Sequence, residues 1–394
     1  MTLNGQPTLG KAYAPGDSSP NYLRRRGTDD SLRPIRGAMA RVRVGTDDLR
    51  ISAMGDSITF GQNVANTQSN HWTYWAAQSL AARLGVPFGR GPIWLSYKMG
   101  NVAEPQVTTG SGWTDFGSNS SYGAGMKTAP VGTAASMDVA FTETVDGANI
   151  LWQTGGGNTG NLIYSWDGGT QTTVTNPGGG YAVTNTYISA PSRGTHTLHL
   201  WQAATGNPSY YVSAEPQDST TRKVRWAASG VSGKTSTDLW NAFNTTALVS
   251  PPGFLNAWKA DLFIMCIGAN DQMQVAGAVT TNTFTGNLDN IRAKVAANSY
   301  KTSVLYIGPP ASQNEATWTP RMADFMAAAE AWGRTTGVPT IRMDIRWKDW
   351  ATTSAAPYSF FTSPSLGGID TIHPGTNGTP DMGAAISLAL ANET

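Results

Sequence analysis

A chain of 394 residues can bury a large core, as one big domain or as two to three smaller ones. Lys and Arg number 27 against 26 Asp and Glu, a net charge of +1, and only 13% of residues are charged, which argues against a nucleic-acid or membrane-surface footprint. The 44 glycines and 14 tryptophans, with abundant Thr, Ser and Asn, describe a β-rich, turn-rich surface of the kind that meets carbohydrate.

The single cysteine, Cys266, lies in the apolar run Leu262–Ile267, reads as core, and leaves no disulfide framework within the chain. The N-terminus shows no basic segment followed by an apolar stretch, so no secretory signal is expected. No run approaches the roughly 18 apolar residues that a membrane span needs. The expectation is a soluble protein that another vehicle carries if it works outside a cell.

Residues 1 to about 30 are polar, with Gly, Pro, Asp and Ser throughout and an Arg24-Arg25-Arg26 run. They read as a flexible arm or as a docking arm that orders on a larger assembly. A short helix is expected from Ser31 to Val42, capped by Asp30 or Ser31. Ile51–Met54 reads as the first strand, followed by an amphipathic helix from His71 to Gly85 with Trp72, Trp75, Ala76, Leu80 and Leu84 inward and Gly85 as its stop. Ile93–Tyr97 reads as another strand.

From about Glu104 to Arg222 the chain alternates Thr, Val, Tyr and Trp with Gly-rich turns. Runs such as Leu162–Trp166, Tyr181–Ile188 and Thr195–Trp201 have strand length and composition. Several short strands with turns between them predict a β-sandwich of roughly 100 residues. Strand and helix then alternate again: strands at Val224–Ala228, Asp261–Ile267, Ser303–Ile307 and Thr340–Ile345, and helices at Phe284–Ala297, Thr319–Thr335 and Gly378–Asn392. Such alternation implies a parallel sheet covered on both faces. The organisation expected is an N-terminal arm over 1–45, a discontinuous α/β domain over 46–105 and 222–394, and an all-β insertion over 106–221.

Polar residues that packing does not require gather after the buried strands, where an open α/β sheet places its ligands. They are Gly55-Asp56-Ser57, Ser229-Gly230-Val231-Ser232-Gly233 and Gly268-Ala269-Asn270-Asp271, joined near the C-terminus by Asp370-Thr371-Ile372-His373. Serine is a weak nucleophile until a base takes its proton, and histidine is the usual base near neutral pH. A carboxylate fixes the base's tautomer and stabilises the imidazolium. Asp370 and His373 supply both groups, three residues apart. Donors for an oxyanion are the Ser57 N–H, the Gly233 N–H and the Asn270 amide. Gly230 competes with Gly233 for that place. Ser57 as a simple helix cap, and Asn270 and Asp271 as turn residues, are the plainer readings, and Asp56 is expected to brace its loop by hydrogen bonds.

The remaining histidines point elsewhere. His71 is expected to cap its helix, and His196 and His199 fall on opposite faces of one strand, a poor metal pair. No Cys, His or carboxylate cluster has metal-site spacing and no loop cradles phosphate, so no cofactor is implied. Among the aromatics of the β region, Trp113, Trp152, Tyr164, Trp166, Tyr181, Tyr187 and Trp201 read as sandwich core or as a ligand platform.

Gly55-Asp56-Ser57-Ile58-Thr59, Gly233 within Gly230–Ser236, Gly268-Ala-Asn270-Asp271 and Asp370-Thr-Ile-His373 resemble, in chain order, the four blocks of the SGNH, or GDSL, hydrolase family. The resemblance implies a flavodoxin-like three-layer α/β/α fold and ester hydrolysis through a serine acyl-enzyme. It implies Ser57 as nucleophile, His373 as base and Asp370 as its orienter, with Ser57, Gly233 and Asn270 at the oxyanion. It covers roughly residues 46–100 and 222–394. No Gly-x-Ser-x-Gly elbow occurs, against the ordinary α/β-hydrolase fold. The β insertion resembles a carbohydrate-binding module. The function expected is an esterase acting on acyl, chiefly acetyl, groups of a polysaccharide or cell-envelope glycan. The alternatives are a virion tail component with a vestigial hydrolase domain, docked through the N-terminal arm, and a lipase or arylesterase with small substrates.

Overall fold

The computed structural model of the chain describes residues 23–24, 32–62, 64, 67–96, 106–116, 125–132, 135–245, 250–273, 279–313, 319–363 and 367–390. Most of the expected N-terminal arm, including Asp30 and Ser31, lies outside the described residues.

Among the described residues the central sheet has seven strands, in the order Leu23–Arg24, Thr340–Arg342, Ser303–Gly308, Leu262–Cys266, Leu49–Gly55, Val224–Gly230 and Phe88–Arg90. Leu23–Arg24 pairs antiparallel at its edge and every other neighbour is parallel. Leu49–Gly55, Leu262–Cys266 and Ser303–Gly308 are buried along their whole length, which an α/β sheet covered on both faces requires. Helix Trp72–Leu84 packs on Thr379–Leu390, and Ser236–Asn244 packs on Thr281–Ala296. The α/β architecture is the one its sequence implies.

His71 caps the Trp72–Leu84 helix through its side chain, which accepts from Thr73 N, and Gly85 ends it in the left-handed region at φ 69°. Three elements differ from expectation. The first helix runs Arg33–Arg43 with Leu32 at its N-cap and no side-chain cap bond, because Pro34 opens the helix and needs no donor satisfied. The strand expected over Thr340–Ile345 stops at Arg342, where the chain turns into a helix over Met343–Trp347. Arg342 holds that corner by donating to Glu330 Oε2 at 2.9 Å and to Asp344 Oδ1 at 2.8 Å. Ile93–Trp94 pairs antiparallel with Tyr211–Gln217, outside the parallel sheet, whose edge is instead the short strand Phe88–Arg90.

The β-rich region forms two antiparallel sheets. One has the order Thr172–Val174, Leu162–Trp166, Thr197–Trp201, Met137–Ala140 and Val107–Thr109; the other has Ala182–Gly194, Val145–Thr154, Tyr211–Gln217, Met126–Thr128 and Thr114–Phe116, with Ile93–Trp94 beside Tyr211–Gln217. Their facing residues, among them Met137, Val139, Leu198, Ile150, Trp152 and Tyr211, make one buried core. Alternation then sends Leu151 and Val212 to the opposite face, where with Met126 and Trp94 they join the core of the α/β unit. Tyr211–Gln217, in the middle of the second sheet, is thus buried on both sides. The Trp94 ring lies 5.2 Å from that of Phe254 of helix Pro251–Trp258, tilted by 49°, and its indole N–H donates to Ala228 O at 3.0 Å.

A charged cluster is buried in the same junction. Arg225 Nε donates to Asp48 Oδ2 and its Nη1 donates to Arg90 O at 2.8 Å, while Glu215 Oε1 accepts from Trp258 Nε1 at 2.9 Å and lies 3.9 Å from Arg225 Nε. Buried charges persist when they are paired and hydrogen-bonded.

Candidate active site

The strand Leu49–Gly55 ends where Asp56 caps a single helical turn, Ser57–Phe60, by accepting from Ile58 N at 3.0 Å. Two glycines let this turn sit close to the sheet. A Cβ at Gly55 would overlap Cys266 O, and one at Gly230 would overlap Phe60 N. Gly230 is therefore demanded by packing. Gly233 differs: it lies at φ 75°, and a Cβ there would meet nothing within 4 Å, so its backbone faces open space.

From the other end of the chain, His373 reaches Ser57. Its Nε2 lies 2.8 Å from Ser57 Oγ, and its Nδ1 lies 3.2 Å and 3.3 Å from the two carboxylate oxygens of Asp370. The tautomer with its proton on Nδ1 directs that proton to Asp370 and leaves Nε2 to accept from the serine hydroxyl. Burial pushes the Asp370 carboxyl up, but the His373 side chain and the N–H groups of His373 and Ile372 outweigh it and hold the group at about 2. The loop is braced further by Asp370 N–H donating to Phe361 O at 2.8 Å and Trp350 Nε1 donating to Asp370 O at 3.0 Å.

The two remaining loops are tied to this line. Val231 N–H donates to Gly55 O at 3.0 Å, and Ser232 Oγ donates to Gln62 Oε1 at 2.9 Å. Asn270 Nδ2 donates to Lys234 O at 2.9 Å, which sets its amide against the Gly233-Lys234 turn. Asp271 does more than cap its own turn. Its carboxylate accepts from Ser236 N at 2.9 Å and from Ser236 Oγ at 2.5 Å, joining the second and third loops, and Asn287 Nδ2 donates to the same Ser236 Oγ at 3.0 Å. Sequence reasoning passed over Asn287 and Ser236. A polar residue on the inward stripe of the Thr281–Ala296 helix is the signal that finds them.

His71, His196 and His199 stand apart from Ser57 Oγ. His71 is buried with Nε2 2.6 Å from Thr59 O, and burial lowers it to about 4. His196 Nδ1 lies 2.6 Å from Asp167 and His199 Nδ1 lies 2.7 Å from Asp138, each with its own carboxylate. Among the described residues no group of three or more His, Cys, Asp or Glu side chains could hold a metal ion, and no helix is long and apolar enough to cross a membrane.

Asp56 sits directly before Ser57 and is fully buried. Its Oδ2 has no hydrogen-bond partner, and burial raises the carboxyl from 3.8 to about 7. A folded-state value above the unfolded one makes a contribution to stability that is full below about pH 4 and is lost as pH rises through about 7. Asp56→Asn keeps an acceptor for Ile58 N–H and never ionises. Urea titrations at pH 5 and pH 8 are expected to show wild type losing ground to the variant at the higher pH, by an upper bound of about 3 kcal/mol. Parallel curves for the two proteins would remove Asp56 from the pH dependence.

Residues 193–379, which is 187 of 394 and just under half the chain, match the model of the GDSL-like Lipase/Acylhydrolase family. The match includes Gly233, Asn270, Asp370 and His373 and begins after Ser57. The chain is similar in structure to a protein described as "Peptidoglycan O-acetylesterase in action", with a TM-score of 0.68 at 16% identity, over 94% of this chain and 98% of that one. A carbohydrate esterase family 2 enzyme with its carbohydrate-binding domain, from Corynascus thermopiles (Myceliophthora fergusii), aligns at a TM-score of 0.31 and 13% identity, over 66% of this chain and 93% of that one. No curated protein matches the sequence. The family match covers the segment that carries Gly233, Asn270, Asp370 and His373, and the structural match shows a shared fold. The matched segment and the shared fold agree with the resemblance to SGNH/GDSL hydrolases that the four sequence blocks carry.

Proposed function

We propose that the chain is a serine esterase that removes acyl groups, acetyl first among them, from a polysaccharide or cell-envelope glycan. The observation that carries this reading is the bonded line Ser57 Oγ, His373 Nε2, His373 Nδ1, Asp370 at the carboxyl edge of the parallel sheet. His373 Nε2 takes the hydroxyl proton as Ser57 Oγ attacks the ester carbonyl, and the negative charge gathers on the carbonyl oxygen. The Ser57 and Gly233 N–H groups and the second amide hydrogen of Asn270 receive that charge. The imidazolium, held by Asp370, returns its proton to the departing sugar oxygen. Water, deprotonated by the same Nε2, then cleaves the acyl-serine and releases the acid.

Ser57 is only 2% exposed, so the site favours a small acyl group over a long chain. Three groups held within bonding reach also favour a working enzyme over a virion component with a vestigial site. The test is acetate release from O-acetylated xylan and O-acetylated peptidoglycan by the full chain, beside p-nitrophenyl esters of two to eight carbons and a fluorophosphonate probe. Labelling at Ser57, release from at least one polymer and a steep fall beyond short acyl chains are expected. An unlabelled protein would overturn the serine mechanism; a preference for octanoate with inert polymers would overturn the glycan reading.

A further inference from the structure

The aromatic residues of the β region divide sharply. Trp113, Trp152 and Trp166 are buried and Tyr164 packs against them, whereas Tyr181 is 48% and Phe116 is 42% exposed. These two belong to one patch. The Phe116 ring lies 5.1 Å from that of Tyr210, inclined at 60°, and Tyr210 O accepts from Gln153 N at 2.9 Å, where Gln153 pairs on its other side with Val183, two residues after Tyr181.

The patch is rigid on one side and open on the other. The Tyr181 ring covers the backbone of Gly156, where a Cβ would collide with three ring carbons. Gly156 is itself held at φ 69° by its N–H donating to Gly179 O at 2.7 Å, and Gly155 N–H donates to Asn176 Oδ1 at 2.9 Å. Ring orientation is therefore set before any ligand arrives, which lowers the cost of binding.

Its position follows from register. Phe116 pairs across from Met126, and Met126 packs in the α/β core, as do Tyr210 and Val183, two residues after Tyr181. All three rings thus lie on the face of the six-stranded sheet that looks at the α/β unit. Along the strand Tyr211–Gln217, Gln217 leads by a short connection to Val224, and Ser213 pairs with Trp94, whose indole bonds Ala228 O. Tyr210, three residues further, stands level with the end of Val224–Gly230. Gly230 is in register with Gly55, next to Asp56-Ser57.

We propose that Phe116, Tyr210 and Tyr181 form a stacking platform that holds pyranose rings of a polymeric glycan at the edge of the sheet that carries Ser57. Flat neutral rings present an apolar face to the C–H face of a sugar, and the tyrosine hydroxyls offer hydrogen bonds to its rim. This inference rests on the glycan-esterase reading.

The full-length chain, Tyr181→Ala, Phe116→Ala and Tyr181→Phe are compared on p-nitrophenyl acetate and on O-acetylated xylan and O-acetylated peptidoglycan. On whichever polymer wild type cleaves, each alanine variant is expected to raise KM roughly 3- to 10-fold with kcat unchanged, while Tyr181→Phe stays within about twofold. All variants are expected to keep wild-type kinetics on p-nitrophenyl acetate, which also shows them folded. Unchanged KM on a polymer that wild type cleaves would overturn the platform and leave the glycan reading standing. A loss on p-nitrophenyl octanoate instead would give the rings to an acyl chain and overturn it too. Wild type inert on both polymers but active on p-nitrophenyl acetate would overturn both inferences.

Discussion

Ser57→Ala is expected to lower kcat on p-nitrophenyl acetate by roughly four to six orders of magnitude while the unfolding midpoint stays within about 0.5 kcal/mol of wild type. The size follows from the geometry. Ser57 Oγ is the atom 2.8 Å from His373 Nε2, and among the described residues no other hydroxyl bonds that nitrogen. His373→Ala is expected to cost about as much, and the double variant no more than either, since the three groups act as a unit. The proposed oxyanion donors remain in place in all three proteins, so a residual rate above water is expected. Steady-state kinetics with titration of active sites checks this. A Ser57→Ala protein that still turns over at more than about one per cent of wild type would put the nucleophile elsewhere.

Glu215→Ala is expected to destabilise the chain by about 3–5 kcal/mol, read as a lower urea midpoint. Glu215 is wholly buried, accepts from Trp258 Nε1 at 2.9 Å and from Asn149 Nδ2 at 3.2 Å, and faces Arg225. Its removal leaves a buried indole N–H without its acceptor and tips the charge around Arg225 toward uncompensated positive. Breaking one side of such a set costs more than replacing the set. Glu215→Leu combined with Arg225→Met and Asp48→Leu is therefore expected to recover much of the loss. A single-variant loss under about 1 kcal/mol would mean that apolar contacts such as Trp94 on Phe254 alone hold the β region to the α/β unit.

The proposed catalytic edge is legible in the sequence because such chemistry demands particular side chains immediately after apolar runs. Ser57, Gly233 and Asn270 each follow a buried strand, and His373 follows its carboxylate by three residues. Strand alternation likewise reveals the sandwich. What stays hidden depends on which surface meets which. Tyr211–Gln217 contains Ser213, Glu215 and Gln217 at alternate positions, which reads as a solvent face, yet all seven residues are buried because that face meets helix Pro251–Trp258. Ile93–Trp94 reads as one more strand, and only the tertiary partner decides that it pairs with Tyr211–Gln217. Thr340–Ile345 shows the same limit: its pattern is extended, but the ion pairs of Arg342 turn the chain early.

The register of Leu49 with Val224 has a consequence for the order of events during synthesis. These partners are 175 residues apart, the difference of their positions, and at roughly 5–20 residues per second about 10–35 s separate their emergence from the ribosome. In that interval the strand that leads to Ser57 has neither of its central neighbours, because Leu262–Cys266 is made later still. The sandwich can close its own interior meanwhile. The face of its second sheet that carries Met126, Leu151 and Val212, however, waits for the α/β core that it joins, in which Phe254, Leu255 and Trp258 of helix Pro251–Trp258 take part. Nascent chains shorter than about 260 residues are thus the aggregation-exposed species, and a ribosome-associated holdase is expected to dwell on them longest.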